Sequence, residues 1–207
     1  MTSHLDADVR HSLGRPALTV APEILGWRLS HTTDEGTVAV ELTEVEAYEG
    51  VDDPASHAFR GRTGRNAVMF GPAGHLYCYF SYGMHWCANL VCGPEGVAAA
   101  VLLRAGRVVD GVDLARERRG GVADRDLARG PARLTMALGL GRSEGGADLL
   151  GAGPVRLHPV LGRRAVSQGP RVGVSRAAAR PWRFWLTDDK TVSAYRRSPR
   201  ADDNELA

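Results

Sequence analysis

The chain has 207 residues, of which 43% are hydrophobic and 24% are charged, so it can bury a core and is not disordered over most of its length. No run of about 18 apolar residues is present, and residues 1–16 lack the apolar segment of a secretory signal, so we expect a soluble, cytoplasmic protein. Three cysteines, Cys78, Cys87 and Cys92, form no C-x-x-C pair and are too few for a disulfide scaffold.

The net charge of +2 is unevenly distributed along the chain. Residues 1–57 carry three arginines against eleven acidic residues, whereas cations outnumber anions in the remainder. The basic part therefore favours a surface that binds a polyanion. Lys190 is the only lysine among 26 cationic residues, so it and the N-terminal amine are the only groups that could form a Schiff base. The arginine-, glycine- and alanine-rich composition indicates a GC-rich, bacterial genome.

The hydrophobic pattern of the first third of the chain predicts a helix and two strands. Residues 17–29 read as a short helix that runs into a strand, and residues 34–36 form a hairpin turn. Residues 37–48 alternate apolar and polar side chains over their whole length, which predicts a strand. Residues 49–75 show no periodicity, and a structureless stretch of this length inside a compact domain is usually functional.

The rest of the chain predicts a mixed α+β fold with its strands clustered in the centre. We expect a single domain in which a central, mostly antiparallel, curved β-sheet is flanked by short helices. The predicted boundaries are an N-terminal extension at 1–14, the domain at 15–198 and a flexible polar tail at 199–207. Strands are predicted at 75–83, 86–93, 97–106, 154–160, 170–174 and 182–187, helices at 111–119 and 130–140, and loops at 139–153 and 163–169.

Three acidic residues, Glu41, Glu44 and Glu46, lie on the predicted strand 37–48. Because successive residues of a strand point to opposite faces, Glu44 and Glu46 share a face with Tyr48. Glu41 falls on the opposite face, with Val45, if the strand is regular. The face with Glu44 and Glu46 is either exposed to solvent or lines a cleft in which one of the acids acts as a general base. The strand pattern alone does not decide between these two alternatives.

The segment that follows the strand, GVDDPASHAFRGRTGRN, carries His57 and the arginines Arg60, Arg62 and Arg65 in a glycine-containing loop. Arginines on such loops commonly hold phosphates, so these three are candidate phosphate ligands. A lone histidine is more often a structural hydrogen-bonding group than a catalyst. A metal site is an alternative, although no recognised ligand spacing is present; its ligands would be Glu44, Glu46, Asp52, Asp53 and His57.

Aromatic residues are concentrated in the segment HLYCYFSYGMHWCANLV, although they make up only 6% of the chain. Some of these rings belong in the core, but tyrosines beside an arginine-rich loop also suit a stacked nucleobase. Asn89 adds an amide that can both donate to and accept from a base edge. The five aromatic residues are Tyr77, Tyr79, Phe80, Tyr82 and Trp86.

The tracts E-x-E-A-Y, D-P-A-S-H, M-F-G-P-A-G-H-L-Y and Y-G-M-H are jointly very specific. The chain that carries them resembles the 3-methyladenine (alkyladenine) DNA glycosylase family of base-excision repair, over roughly residues 15–195. Two positions depart from the family pattern. Gly64 stands where proline is usual, which would loosen a phosphate-contacting loop, and Ser81 stands where an aliphatic residue is common. Neither position belongs to the expected chemistry.

The resemblance implies a catalytic group at three positions. Glu46 matches the general base that deprotonates a water for attack on the anomeric carbon of the sugar. Arg104 matches a residue that helps the carboxylate to hold this water, and the backbone carbonyl of Val172 matches the group that completes the water site.

The resemblance also implies how the damaged base is held. Tyr48, His57 and Tyr79 match the walls that sandwich the extruded base. Asn89 matches a side chain at the pocket floor that screens against the exocyclic amine of guanine. Tyr82 matches the wedge that enters the base stack in place of the flipped nucleotide.

The implied activity is that of a monofunctional purine DNA glycosylase without a metal or other cofactor, acting as a monomer. Its partner is duplex DNA that contains 3-methyladenine, 7-methylguanine, hypoxanthine or ethenoadenine, which would associate it with the nucleoid. Because Lys190 is the single lysine, in a predicted surface turn, we expect no strand cleavage. The alternatives are a DNA-binding protein without catalysis and a metal-dependent nuclease that uses the acidic strand.

Overall fold

A computed structural model describes residues 4–81, 83–162 and 164–201 of the chain. The part described contains four α-helices and eight β-strands, with short 3-10 turns between some of them. The elements are α1 (His4–Leu13), α2 (Ala17–Glu23), β1 (Arg28–Thr33), β2 (Gly36–Tyr48), β3 (Leu76–Ser81), β4 (His85–Cys92), β5 (Ala99–Asp110), α3 (Val112–Arg119), α4 (Pro131–Leu138), β6 (Val155–His158), β7 (Val166–Gly169) and β8 (Arg183–Leu186).

The described strands form one curled antiparallel sheet in the order β3-β4-β5-β2-β1-β6. The long strand β2 pairs with β5 along one edge. Along its other edge β2 pairs first with β1 and then, near its C-terminal end, with β8, which in turn pairs with β7. The predicted α+β fold with a mostly antiparallel curved sheet is therefore confirmed, and β2 is its central strand.

A bulge in β2 determines which of its side chains face the core. The register of β2 against β5 shifts on both sides of Glu44, so the alternation changes phase there. Val40 and Leu42 before the bulge and Val45 after it all enter the same hydrophobic cluster. The expectation that Glu41 shares a face with Val45 is wrong, because it assumed a regular strand.

The loop after β2 is anchored to the sheet by a second hydrophobic cluster. Ala58 and Met69 of this loop pack with Tyr77 of β3 and Val91 of β4. Gly50 begins the loop with a φ of 59°, and a Cβ there would lie 2.1 Å from a backbone oxygen, so only glycine fits. The stretch expected to be structureless contains two short 3-10 helices, Gly50–Asp52 and Ala67–Phe70, and is held close to the aromatic strands.

The late part of the chain corrects two sequence-based predictions. Residues 170–174, predicted as a strand, lie outside the sheet, whereas residues 166–169, predicted as a loop, form β7. Pro170 lacks an N–H for a strand ladder, and Gly173 takes a φ of 71°. β7 is a short strand without clean apolar alternation, so its pattern carries no strand signal.

The N-terminal helix contributes to the main core, since Val9 and Leu13 of α1 belong to the large hydrophobic cluster. The separation of an N-terminal extension at residue 14 stays a prediction. Residues 202–207 of the predicted tail lie outside the described part. The helices that the structure describes are all too short or too polar to cross a lipid bilayer.

Candidate active site

A cavity of about 780 Å³ opens between the C-terminal end of β2, the aromatic strands β3 and β4, β5, and the segment after Pro170. Its volume lies in the range of pockets that enclose a small ligand. Its lining includes all seven residues to which the resemblance assigns a role in catalysis or in holding the base, namely Glu46, Tyr48, His57, Tyr79, Asn89, Arg104 and Val172.

The carboxylate of Glu46 is fully buried and held by three donors. The backbone N–H of Val172 donates to Oε1 at 2.7 Å, and the Tyr48 hydroxyl donates to Oε2 at 2.9 Å. The guanidinium of Arg104 places Nη1 3.2 Å from Oε1. A buried charge is stable only with such partners, and here they also fix the orientation of the carboxylate in the cavity wall.

Arg104 bridges two glutamates of β2. Its Nε donates to Oε1 of Glu44 at 2.8 Å, while Nη1 lies against Glu46. Burial by itself lowers the pKa of Arg104, but the carboxylates of Glu46 and Glu44 outweigh burial and raise it. The guanidinium therefore stays cationic at the edge of the cavity.

A second buried ion pair supports the wall of the cavity behind Tyr48. The guanidinium of Arg171 lies 4.6 Å from the centre of the Tyr48 ring and pairs with Asp53, neither side chain being exposed. It also donates to the backbone oxygen of Ala47 at 3.0 Å. Burial, and then the charge of Glu46, raises the pKa of Tyr48 well above its ordinary value, so its hydroxyl stays protonated and remains a donor.

The opposite wall is formed by rings from β3 and from the loop after β2. The imidazole of His57 meets Tyr79 edge-on at 4.4 Å, and its Nδ1 lies 3.2 Å from the Tyr77 hydroxyl. Although His57 is exposed at the rim, packing of its ring and the nearby charge of Arg65 lower its pKa. Buried Asn89 donates one N–H to the Tyr77 carbonyl at 3.0 Å, which fixes its amide.

Comparison with known proteins agrees with this architecture. Residues 11–190 match the sequence model of the methylpurine-DNA glycosylases. Three bacterial relatives, all named "Putative 3-methyladenine DNA glycosylase", are similar over most of their length. The relative from Streptomyces avermitilis is 53% identical over 90% of this chain and 91% of its own, that from Nocardia farcinica 55% over 88% and 89%, and that from Mycobacterium tuberculosis 53% over 89% and 94%.

This chain belongs to the methylpurine-DNA glycosylase family. It is therefore a DNA glycosylase of base-excision repair, a hydrolase that acts on N-glycosyl bonds in alkylation-damaged DNA. The family resemblance predicted from the sequence is confirmed.

The three loop arginines of the glycosylase are exposed, and one of them lines the cavity. Arg65 lines the cavity, with its guanidinium 5.6 Å from the centre of the Tyr79 ring. Arg62 lies 5.9 Å from the ring of Phe70, and Arg60 is exposed. Their assignment as phosphate ligands stays a prediction.

Tyr82, the predicted wedge of the glycosylase, lies outside the described residues. Its neighbours belong to the hairpin between β3 and β4, where Phe80 and Met84 are 46% and 72% exposed. Phe80 also lines the cavity, whereas the wedge assignment of Tyr82 stays a prediction.

Three carboxylates of the metal-site alternative, those of Glu44, Glu46 and Asp53, are engaged by arginine. Glu44 accepts from Arg104 and Arg183, and Asp53 accepts from Arg171. Among the residues that the structure describes, no three His, Cys, Asp or Glu side chains are grouped as metal ligands.

Several residues that support the site could not be assigned from the sequence. Arg171 lay in the segment predicted as a strand, and Ser193 and Arg183 lie more than 130 positions from Glu44, which they contact. Asn66 holds the loop after β2 by donating to the carbonyls of His57 and Gly61. The one feature of the sequence that pointed to a supporting residue was the Glu-x-Glu spacing, which places Glu44 on the same face of the strand as Glu46.

Proposed function

We propose that this glycosylase flips alkylated or deaminated purines out of duplex DNA and hydrolyses their N-glycosidic bond with a water that Glu46 deprotonates. The substrates are 3-methyladenine, 7-methylguanine, hypoxanthine and ethenoadenine. The observation that carries the proposal is the fully buried carboxylate of Glu46, oriented by Tyr48, Val172 and Arg104 in the wall of an aromatic cavity.

In the proposed reaction the water oxygen bonds to C1′ of the deoxyribose as the bond from C1′ to the base nitrogen breaks. Glu46 takes the proton of the water, and the base leaves with the bonding electrons, which neutralise a cationic alkylated purine. The transition state resembles an oxocarbenium ion, and a buried carboxylate beside the sugar stabilises its charge. Arg104 and the Val172 carbonyl hold the water, and a neutral base such as hypoxanthine needs protonation in order to leave.

The aromatic walls supply the binding energy that base flipping requires. Turning a nucleotide out of the duplex costs a few kcal/mol, and stacking on an aromatic side chain contributes about 1–3 kcal/mol per base. Tyr48 on one side and His57 with Tyr79 on the other sandwich the base, and electron-rich tyrosine faces favour a cationic purine. Tyr82 fills the gap in the stack.

The pocket floor supplies further specificity for the base, and the loop after β2 supplies affinity for the DNA backbone. At the floor, Asn89 rejects the exocyclic amine of guanine. Arg60, Arg62 and Arg65 contact phosphates, so binding is salt-dependent and nearly independent of sequence. The protein acts as a monomer on duplex DNA, and these contacts would associate it with the nucleoid.

We expect the wild-type enzyme to release the modified base from duplexes with each of the four lesions and to leave an intact abasic site. Lys190 is exposed and does not line the active-site cavity, so its amine is not placed to attack the sugar. The measurement is base release and strand integrity on a lesion panel, with borohydride present in parallel reactions.

An undamaged duplex and a reaction in EDTA are the controls for the lesion panel. Excision at full rate in EDTA agrees with the proposal. A covalent DNA adduct trapped by borohydride would overturn the water nucleophile, and DNA binding without base release would reduce the protein to a damage-binding module.

A second expectation follows from His57, whose lowered pKa keeps the imidazole neutral at pH 7. As the pH falls below this lowered pKa, the ring gains a proton and repels a cationic base in the pocket. Affinity for a 7-methylguanine duplex should therefore fall about fourfold, the repulsion of two unit charges about 5 Å apart in water. The measurement is fluorescence anisotropy against pH with the Glu46→Gln variant, which holds the lesion without excising it.

The matched comparison is a hypoxanthine duplex, whose base is neutral and whose affinity should not fall. The variant His57→Gln should bind 7-methylguanine with little dependence on pH. An equal loss of affinity for both lesions would argue that protonation acts elsewhere than at the base pocket.

A further inference from the structure

Glu44 is as deeply buried as Glu46 and makes more contacts, yet it does not line the cavity. Its Oε1 accepts from Nε of Arg104 at 2.8 Å, from Nη1 of Arg183 at 3.2 Å and from the Ser193 hydroxyl at 2.9 Å. Its Oε2 accepts from the backbone N–H of Ser193 at 2.6 Å. Glu44 is thus fixed by β5, by β8 and by the segment after β8.

The arrangement makes Arg104 a shared cation. Its Nε is committed to Glu44, its Nη1 lies 3.2 Å from Glu46, and its Nη2 donates to the Ser193 hydroxyl at 3.4 Å. A guanidinium is planar, so fixing Nε and Nη2 determines where Nη1 points. Glu44 and Ser193 therefore aim Arg104 at the general base.

We propose that Glu44 is a positioning residue that directs Arg104 toward Glu46 and takes up part of its positive charge. The proposal rests on the function above, in which Glu46 deprotonates the water. A carboxylate that was the sole partner of a buried guanidinium would be a weak base, because the positive charge would strongly favour its anionic form. Sharing Arg104 between two carboxylates divides its positive charge, so Glu46 does not hold the whole of it.

The charges around Glu46 explain why removal of Glu44 should change the electrostatic environment of the Glu46 carboxylate. Without Glu44, Arg104 keeps Glu46 as the acid that it contacts, Arg183 loses the carboxylate that it contacts, and Arg171 stays paired with Asp53. The titratable or charged groups around Glu46 are Glu44 and Tyr48 of β2, Tyr79 of β3, Cys87 of β4, Arg104 of β5 and Arg171 of the segment before Val172. Arg183 of β8 is the partner of Glu46 in the backbone register.

The test is the variant Glu44→Gln, assayed by single-turnover excision of 7-methylguanine at pH values from 4.5 to 8. This lesion is cationic over the acid part of the range, so protonation of the leaving base does not obscure the result. We expect the plateau rate to fall about tenfold, because Arg104 is no longer directed toward Glu46. We also expect the acid limb, which is the low-pH part of the pH–rate profile where the rate declines, to move about one pH unit lower.

Glu41→Gln is the matched control, because Glu41 is a glutamate of the same strand that pairs with Arg107 and Arg164 outside the cavity. It should keep both the rate and the profile of the wild type. Glu44→Asp retains the charge but shortens the side chain, so its rate should fall without movement of the acid limb. Circular dichroism and Tm establish that each variant is folded.

Each outcome bears on a different claim. An acid limb that stays in place in Glu44→Gln, or that moves equally in Glu44→Asp, overturns the positioning role. Absence of an acid limb in the wild type overturns the general base itself. Should Glu44→Gln fail to fold, the double variant Glu44→Gln/Arg183→Met removes one negative and one positive charge together, and its acid limb should move in the same direction by a smaller amount.

Discussion

Glu46→Gln should lower the single-turnover rate of base excision by about 10³-fold while leaving the affinity for lesion-containing duplex nearly unchanged. The amide cannot take a proton from water, and it carries no charge to stabilise the oxocarbenium-like transition state. Both effects fall on the chemical step, because the aromatic walls that bind the base are untouched. Parallel measurements of excision rate and of fluorescence anisotropy with a 7-methylguanine duplex separate the loss of catalysis from any loss of DNA binding.

The glutamine should fit the site without disrupting it. Its oxygen can accept from the Val172 N–H, and its NH₂ group can donate to the Tyr48 hydroxyl, which then acts as an acceptor. Glu35→Gln is a suitable control, because Glu35 forms an exposed ion pair with Arg118 and does not line the cavity. Excision by Glu46→Gln at the rate of the control would show that another group activates the water.

The central strand and the aromatic wall could be predicted from the sequence because their signals are local. The alternation of residues 37–48 gave the strand, and the Glu-x-Glu-x-Tyr spacing placed Glu44, Glu46 and Tyr48 on one face. The structure agrees, with the Tyr48 hydroxyl bonded to Glu46. The density of tyrosines at 77–82 likewise marked the wall before any contact was known.

The bulge in β2 and the contacts from the end of the chain could not be predicted in the same way. The bulge inverts the alternation between Leu42 and Val45, and no residue type in that stretch requires it. Arg171 and Ser193 reach the site across more than 100 residues of sequence, so their partners depend on the tertiary fold. Polar residues that hold catalytic groups from a distance leave no periodic signal.

Asp53→Asn should destabilise the enzyme by about 3–5 kcal/mol, because it leaves the guanidinium of Arg171 buried without a counter-charge. Both side chains of this pair are completely buried, and the guanidinium is packed between the rings of Tyr48 and Trp182. This loss is a large part of the stability of an ordinary domain. The measurement is urea unfolding, with the m-value checked for a change in the unfolded state.

The double variant Asp53→Asn/Arg171→Met separates folding from function. Removing both charges should recover most of the lost stability, since an apolar side chain replaces a buried ion pair at little cost. Excision should stay low, because Arg171 also supports the Tyr48 ring and precedes Val172, whose N–H orients Glu46. Asp124→Asn, which breaks an exposed pair with Arg116, should change neither stability nor rate appreciably. If the double variant regained full excision, the pair would serve stability alone, and the wall behind the base would not depend on it.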